Sequence, residues 1–188
     1  MLGKLLKLHI LLFLVLVSST GYTADTDPSH TREYQVKAAF IYNFAKFIEW
    51  PRDAFPHDSS SISLCILGGN PFGTAIYSID GKIVEGKTIN VNLYDSLEEI
   101  GTCHILFISN SMAEEIPAIL ERLGNRCILT VGDTDHFAES GGIINFIEQD
   151  NKIRFEINVN AAQRARLKIS SKLANLAKIV RETPKESN

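Results

Sequence analysis

Short apolar segments alternate with helix-like segments through the middle of the chain, and this alternation limits the folds open to it more than any other feature. Three β-branched, apolar segments have the length of buried strands; they lie at 62–67, 103–108 and 127–131. Phe72, Ala75, Ile76 and Ile79 follow the spacing of a short amphipathic helix, and a second helix is predicted from Met112 to Leu123. The pattern predicts an α/β fold in which helices flank a mostly parallel sheet, so that the fold has three layers and is Rossmann-like.

The segment after the predicted parallel strands has a different pattern. Residues 143–148 and 152–158 predict two strands joined by Gln149-Asp150-Asn151, which is a β-hairpin signal. A helical tail is predicted beyond the hairpin. It contains Ala161, Ala162, Ala165, Leu173, Leu176, Ala177 and Val180, and Ser170 or Ser171 could cap a second helix within it. Whether the tail is one helix or two stays open.

A long helix is predicted near the start, from Arg32 to Trp50, and Pro51 ends it. Phe40, Phe44 and Phe47 fall on one face of this helix, beside a second apolar stripe. Its apolar arc is wide for a helix that covers one sheet. We therefore regard the three phenylalanines as candidates for a partner or homodimer interface; contact with the terminal helix is the alternative.

The first 24 residues have the layout of a cleaved signal peptide. Lys4 and Lys7 precede a ten-residue apolar run, and small residues follow up to Ala24. The run is shorter than the roughly 20 residues that a spanning helix needs, although an uncleaved anchor is the alternative. We expect a flexible lead-in at 25–33, one domain at 34–182 and a disordered tail at 183–188.

Export from the cytoplasm would remove ATP, NAD and nucleic acid from the plausible ligands and would permit disulfides. The formal net charge is −3, but residues 152–188 carry nine basic and three acidic side chains. Arg164, Lys168 and Lys172 recur every four residues and predict a basic stripe on one helix face. An acidic partner or an anionic membrane surface could contact this stripe, and a solvated face is the alternative.

Sequence signatures of catalysis are missing. There is no Gly-x-Ser-x-Gly, His-Glu-x-x-His or Cys-x-x-Cys, and the glycine-rich turn at 68–73 lacks the ending of a phosphate loop. Asp133, Asp135 and His136 are interpreted as a helix start in a polar loop, and a metal site is the less favoured reading. We expect no catalytic residue, no metal and no cofactor.

Several segments carry a family resemblance. The most distinctive is YQVKAAFIYNFAKFIEWP at 34–51; the others are PFG at 71–73, CHIL at 103–106, LTVGD at 129–133, FA at 137–138, GGIINF at 141–146, RFEIN at 154–158 and ISSKL at 169–173. Together they resemble the YfiR-like family of periplasmic regulators. The resemblance implies a non-enzymatic protein that binds the periplasmic sensor portion of a membrane-bound diguanylate cyclase, represses it, lowers cyclic di-GMP and so restrains biofilm.

Two other functions stay open. Some proteins of this kind are paired with membrane histidine kinases, which would change the partner but not the mode of action. A periplasmic small-molecule binder that works alone would use the crevice at the carboxyl ends of the sheet strands.

The family resemblance also bears on the cysteines, because its members use disulfides. Cys65 lies in the first predicted strand of the sheet and Cys103 at the start of a later strand. In sheets of this kind these two strands commonly lie side by side. We therefore expect a Cys65–Cys103 disulfide; three buried thiols are the alternative. Cys127 has no partner left and is predicted to be a buried free thiol in an apolar strand.

Overall fold

A mostly parallel sheet of eight strands forms the centre of the molecule. The computed structural model describes residues 28–55 and 59–181. In chain order the strands are β1 (Ile48–Glu49), β2 (Ser61–Leu67), β3 (Ile83–Val84), β4 (Lys87–Tyr94), β5 (Ile105–Ile108), β6 (Leu129–Gly132), β7 (Ile144–Gln149), β8 (Lys152–Asn158), β9 (Lys168–Ile169) and β10 (Lys178–Val180). The large sheet has the order β10-β8-β7-β6-β5-β2-β4-β3, and β1 pairs with β9 separately.

Within the large sheet, only the pairs β3–β4 and β7–β8 are antiparallel. The structure therefore confirms the predicted α/β fold, with its mostly parallel sheet and antiparallel hairpin.

Helices cover both faces of this sheet. The long helix α1 (Pro28–Phe47) lies on one face and α2 (Ile116–Leu123) on the other. Side chains alternate between the two sides along β2, as the pleat requires. Leu64 and Ile66 join the core beneath α1, while Cys65 and Leu67 join the core beneath α2.

The hairpin turn between β7 and β8 follows from local sequence. Asp150 and Asn151 have φ values of 53° and 54°, so both are in the left-handed region. Two-residue hairpin turns of this kind match the twist of the flanking strands, and Asp and Asn tolerate the conformation better than most residues. The hairpin predicted at Gln149-Asp150-Asn151 is thus explained by its turn residues.

The bounds of α1 differ from the prediction at both ends. The helix begins at Pro28, so residues 28–33, which the sequence predicted to be a flexible lead-in, are helical. It ends at Phe47, before Trp50, because Ile48 and Glu49 pair with Ile169 and Lys168 of β9. The proposed signal peptide and the tail at 183–188 lie outside the described residues.

The C-terminal segment is not a continuous helix. It contains two short helices, α3 (Val159–Arg164) and α4 (Ser171–Ala174), with β9 between them and β10 after them. The side chains of Asn158 and Ser170 cap the two helices by accepting backbone N–H bonds. Arg164, Lys168 and Lys172 therefore belong to α3, β9 and α4, and the prediction that they line one helix face was wrong.

One further segment differs from the sequence pattern. The segment from Phe72 to Ile79 consists of turns and one 3-10 helix, Ala75–Ser78, although Phe72, Ile76 and Ile79 are buried as their spacing predicted. Among the described residues, no helix is both long and apolar enough to cross a membrane.

Candidate functional site

A buried polar cluster joins α1 to the carboxyl end of β6. Asp133 directly follows β6, and its Oδ2 accepts a hydrogen bond of 2.7 Å from the Tyr34 hydroxyl. The Lys37 ammonium lies 2.7 Å from the same oxygen and 2.6 Å from Glu33 Oε1. The side chains of Lys37 and Asp133 are only 6% and 5% exposed, so both charges are removed from bulk water.

Helix geometry explains how one end of α1 supplies three members of this cluster. Tyr34 and Lys37 are three residues apart and Glu33 and Lys37 four apart, which places them on neighbouring positions of one face. The Lys37 ammonium lies 4.2 Å from the centroid of the Tyr34 ring. Burial, then the neighbouring Asp133, raises the pKa of Tyr34 far above its usual value, so its hydroxyl stays protonated and donates to the carboxylate.

A cavity of about 420 Å³ adjoins this cluster. Glu33 and Lys37 of α1, Asp133 and Asp135 after β6, and Glu148 of β7 contribute its charged groups, while Phe146, Ile147 and Ile153 contribute apolar walls. Asp133 Oδ1 is buried and has no hydrogen-bond partner among the residues that the structure describes. The charged groups of the cavity are four carboxylates and one ammonium, and that ammonium is already paired with Glu33 and Asp133.

A pair of thiols lies beneath α2. Cys65 in β2 and Cys103 just before β5 are both buried, and both are free thiols in the structure. A hydrogen bond from Cys103 lowers the pKa of Cys65, while burial and that same contact raise the pKa of Cys103. The sheet therefore places the two cysteines in the same buried cluster, and the disulfide between them stays a prediction.

Cys127 is less buried than its sequence context predicted. It precedes β6 instead of lying within it and is half-buried. The Arg166 guanidinium donates to Cys127 Sγ at 2.8 Å and to Asp53 Oδ2 at 2.8 Å. The prediction of a buried thiol inside a strand was therefore wrong.

The phenylalanine stripe of α1 packs inward. Phe44 is fully buried and packs against Phe146 and Phe155 of the hairpin, with ring centroids 5.6 and 5.0 Å apart. Phe40 packs on the same two rings, and Phe47 is partly buried against the same core. Phe44 therefore cannot contact a partner in the folded protein, and the wide apolar arc of α1 is accounted for by the hairpin together with α4, which α1 also contacts.

The histidine and the acidic residues of the loop after β6 do not converge on a metal geometry. Asp133 turns to Lys37, whereas His136 Nδ1 lies 2.6 Å from Glu139. Within residues 28–55 and 59–181, no group of three or more metal-ligating side chains is close enough to hold an ion.

Comparison with known proteins identifies the family of the chain. A family described as YfiR/HmsC-like matches residues 34–178. The chain belongs to the YfiR/HmsC-like family. The matched region begins at Tyr34 and includes Lys37, both cysteines of the thiol pair and Asp133, so both features lie within the family domain. The family is regulatory, its members are periplasmic, and membership supports a general role in regulating diguanylate cyclase.

Solved structures show the fold. The chain is similar to the ABC domain in complex with L-Trp from Streptococcus pneumoniae, with a TM-score of 0.52 and 11% sequence identity. The similarity covers 79% of this chain and 60% of that one. No curated protein matches the chain.

Sequence reasoning missed the cluster of Tyr34, Lys37 and Asp133. The Glu33–Lys37 spacing and the position of Asp133 after a buried strand were both visible. Lys37 and Asp133 are, however, 96 residues apart, and only the topology shows that they meet.

Proposed function

We propose that this protein binds the periplasmic sensor domain of an inner-membrane diguanylate cyclase and represses it, which lowers cyclic di-GMP in the cell. The observation that carries the proposal is the family match over residues 34–178, which spans almost the entire described domain. No second function has a specific observation in its favour. A histidine kinase in place of the cyclase is an outcome that the test below distinguishes.

Repression in this scheme is a shift in population. The protein stabilises the inactive state of its partner only to the extent that it binds that state more tightly than the active one. A tenfold fall in the ratio of active to inactive enzyme requires a tenfold difference in affinity, about 1.4 kcal/mol. A rigid protein surface is sufficient for this, and no chemical step is needed.

The C-terminal elements supply the surface that we propose for docking. β10 is an edge strand of the large sheet, and edge strands offer unpaired backbone groups to another chain. Leu176 and Ile179, beside and within β10, are 68% and 48% exposed. Lys168 and Lys172 are exposed on the preceding elements and would favour an acidic partner.

Deletion of the gene, with cellular cyclic di-GMP as the readout, tests the proposal. We expect cyclic di-GMP to rise on deletion and to return to its original level when the full-length gene is restored. A gene that lacks residues 1–24 should fail to restore it, because the protein would stay in the cytoplasm. An unchanged level in the deletion strain, with the protein normally expressed beforehand, would contradict cyclase repression.

Exchange of surface residues tests the docking site separately. The variant L176E/I179E should fail to restore a low cyclic di-GMP level although it is exported and folded. The matched variant V36E on α1, where Val36 is also exposed, should restore it. Equal restoration by both variants would place the docking surface elsewhere.

A further inference from the structure

The large sheet has a notch along one edge, beside the first half of β8. β7 pairs with β8 from Lys152 to Ile157, whereas β10 pairs on the other side only with residues 156–158. Within the part of the chain that the structure describes, no strand lies beside residues 152–155 on that outer side. We call this open stretch the β8 notch. It is the kind of sheet edge to which another chain can add a strand.

The hydrogen bonds of the hairpin show which backbone groups face the notch. The Asn158 N–H donates to the Ile143 carbonyl oxygen over 2.9 Å, on the β7 side. Along an antiparallel strand such bonds alternate, so Arg154 bonds toward β7, while the N–H and C=O of Ile153 point outward. Ile153 is half-buried and Arg154 is exposed, so an extended segment can reach this stretch of backbone.

The opposite edge of the sheet is better closed. There the outer N–H groups of Ile89 and Val91 in β4 already donate, to the Lys82 carbonyl oxygen at 2.8 Å and to Asp80 Oδ1 at 2.9 Å. For the backbone of Ile153, residues 28–55 and 59–181 supply no such partner on the outer side. The β8 notch is therefore the better place for a strand from outside.

A groove of about 290 Å³ lies against the notch. Its apolar lining comes from Ile147 and Phe155 of the hairpin and from Leu176 and Ala177, which precede β10. Leu176 is 68% exposed and belongs to the docking surface proposed above. The groove therefore extends that surface from β10 to the β8 notch.

The charges around the groove favour an acidic occupant. Arg154 and Lys178 line it, against one carboxylate, from Asp150. Lys178 is already paired with Glu156 at 2.7 Å, whereas Arg154 makes no ion pair with any residue that the structure describes. Residues 152–181 carry eight basic side chains and one acidic one, so this edge should attract an acidic segment.

The same charges disfavour a second copy of this chain. If two copies paired antiparallel through the notch around Ile153, Lys152 of one copy would lie opposite Arg154 of the other. Like charges directly opposite each other destabilise a strand pair. The notch therefore selects against its own copy and for a segment of opposite charge.

We infer that an extended, acidic segment in the periplasmic domain of the cyclase adds to the sheet as a strand in the β8 notch. Its backbone exchanges hydrogen bonds with Ile153, an acidic side chain pairs with Arg154, and an apolar side chain packs in the groove beside Leu176. The inference rests on the proposed function and specifies how the partner is held.

Hydrogen exchange measures the expected backbone contact directly. The purified exported protein is mixed with the full-length cyclase in nanodiscs, and amide exchange is followed by mass spectrometry with fragmentation to single residues. We expect the Ile153 amide to exchange about tenfold more slowly than it does with empty nanodiscs. The Arg154 amide, which already bonds toward β7, should change less.

Two pairs of variants test the backbone and the charge separately. I153P removes the outward N–H without removing a bond to β7, and I153A removes the side chain but keeps the N–H. I153P should bind the cyclase about tenfold more weakly than I153A. R154E should also lose about tenfold in affinity, while R32E, an equal reversal at an exposed position of α1, should bind as the unaltered protein does. R154E keeps the inference falsifiable if I153P does not fold.

The outcomes separate this inference from the proposed function. A cyclase that does not bind the protein at all would overturn both. Binding that leaves the Ile153 amide unprotected, equal affinities of folded I153P and I153A, or equal affinities of R154E and R32E would overturn the inference alone. Slower exchange at Ile153 when the protein alone is concentrated would assign the notch to a second copy and would also overturn it.

Discussion

Substitution of Lys37 by methionine should be among the most destabilising single changes in this protein. Its ammonium is the only cation that contacts Asp133 in the described residues, and both side chains are buried. In K37M the carboxylate keeps one donor, the Tyr34 hydroxyl. Removing one partner of a buried ion pair typically costs about 3–5 kcal/mol, because the other charge stays buried without compensation.

The reverse substitution should cost less. In D133N the Lys37 ammonium keeps Glu33 at 2.6 Å and the Tyr34 ring at 4.2 Å, so it is not left without a partner. Loss of one charge-assisted bond is worth about 1.5–3 kcal/mol. The double variant K37M/D133N should be more stable than K37M alone, because the unpaired buried charge is gone.

Urea unfolding, followed by the fluorescence of the single tryptophan, Trp50, measures these differences. The variant K172M changes an exposed lysine in the same way and should shift the free energy of unfolding by less than about 0.5 kcal/mol. The reasoning is refuted if K37M costs no more than D133N, or if the double variant is less stable than K37M.

Three further predictions concern other parts of the core. Burial lowers the pKa of His104, so protonation of this side chain favours the unfolded chain. As the pH is lowered past about 6.5, the free energy of unfolding should decrease by at most ~1.4 kcal/mol per pH unit. The variant H104N should remove that part of the pH dependence in urea titrations. Mass analysis after thiol alkylation should show Cys65 and Cys103 joined in the exported protein, with reduction costing about 4 kcal/mol of stability; two alkylated thiols would contradict this. A Cβ at Gly142 would lie 2.2 Å from the Phe137 ring, so G142A should lose about 1–3 kcal/mol while G101A, in open space, stays near neutral in the same unfolding assay.

The parts of the fold that were predictable are those with local signals. The hairpin could be predicted because Asp150 and Asn151 suit the left-handed turn that joins two strands of alternating pattern. The buried strands β2 and β5 could be predicted from continuous β-branched and apolar residues, which parallel sheets require.

The C-terminal segment could not be predicted in the same way. Leu173, Leu176 and Val180 have helical spacing, yet Val180 lies in β10, paired in parallel with Asn158 of β8. Strand addition at a sheet edge depends on a neighbour that is distant in sequence, and such tertiary pairing overrides a weak helical pattern. The basic stripe at Arg164, Lys168 and Lys172 failed for the same reason.

The polar cluster of Tyr34, Lys37 and Asp133 could not be predicted from the sequence for a related reason. Asp133 stands in a loop with Asp135 and His136, and that local grouping was interpreted as a helix start in a polar loop, which gave no reason to expect contact with α1. The partner of Asp133 is Lys37, which the helical spacing places on the buried face of α1, three residues after Tyr34 and four before Ile41. Only the topology shows that Asp133 is the carboxylate that meets it.

Reconstitution tests the central claim of repression most directly. The full-length membrane cyclase, placed in nanodiscs so that its periplasmic domain is accessible, is assayed for synthesis of cyclic di-GMP from GTP while the purified protein is added. We predict a saturable fall in the rate that L176E/I179E does not produce. A rate that stays constant at all protein concentrations would contradict the account.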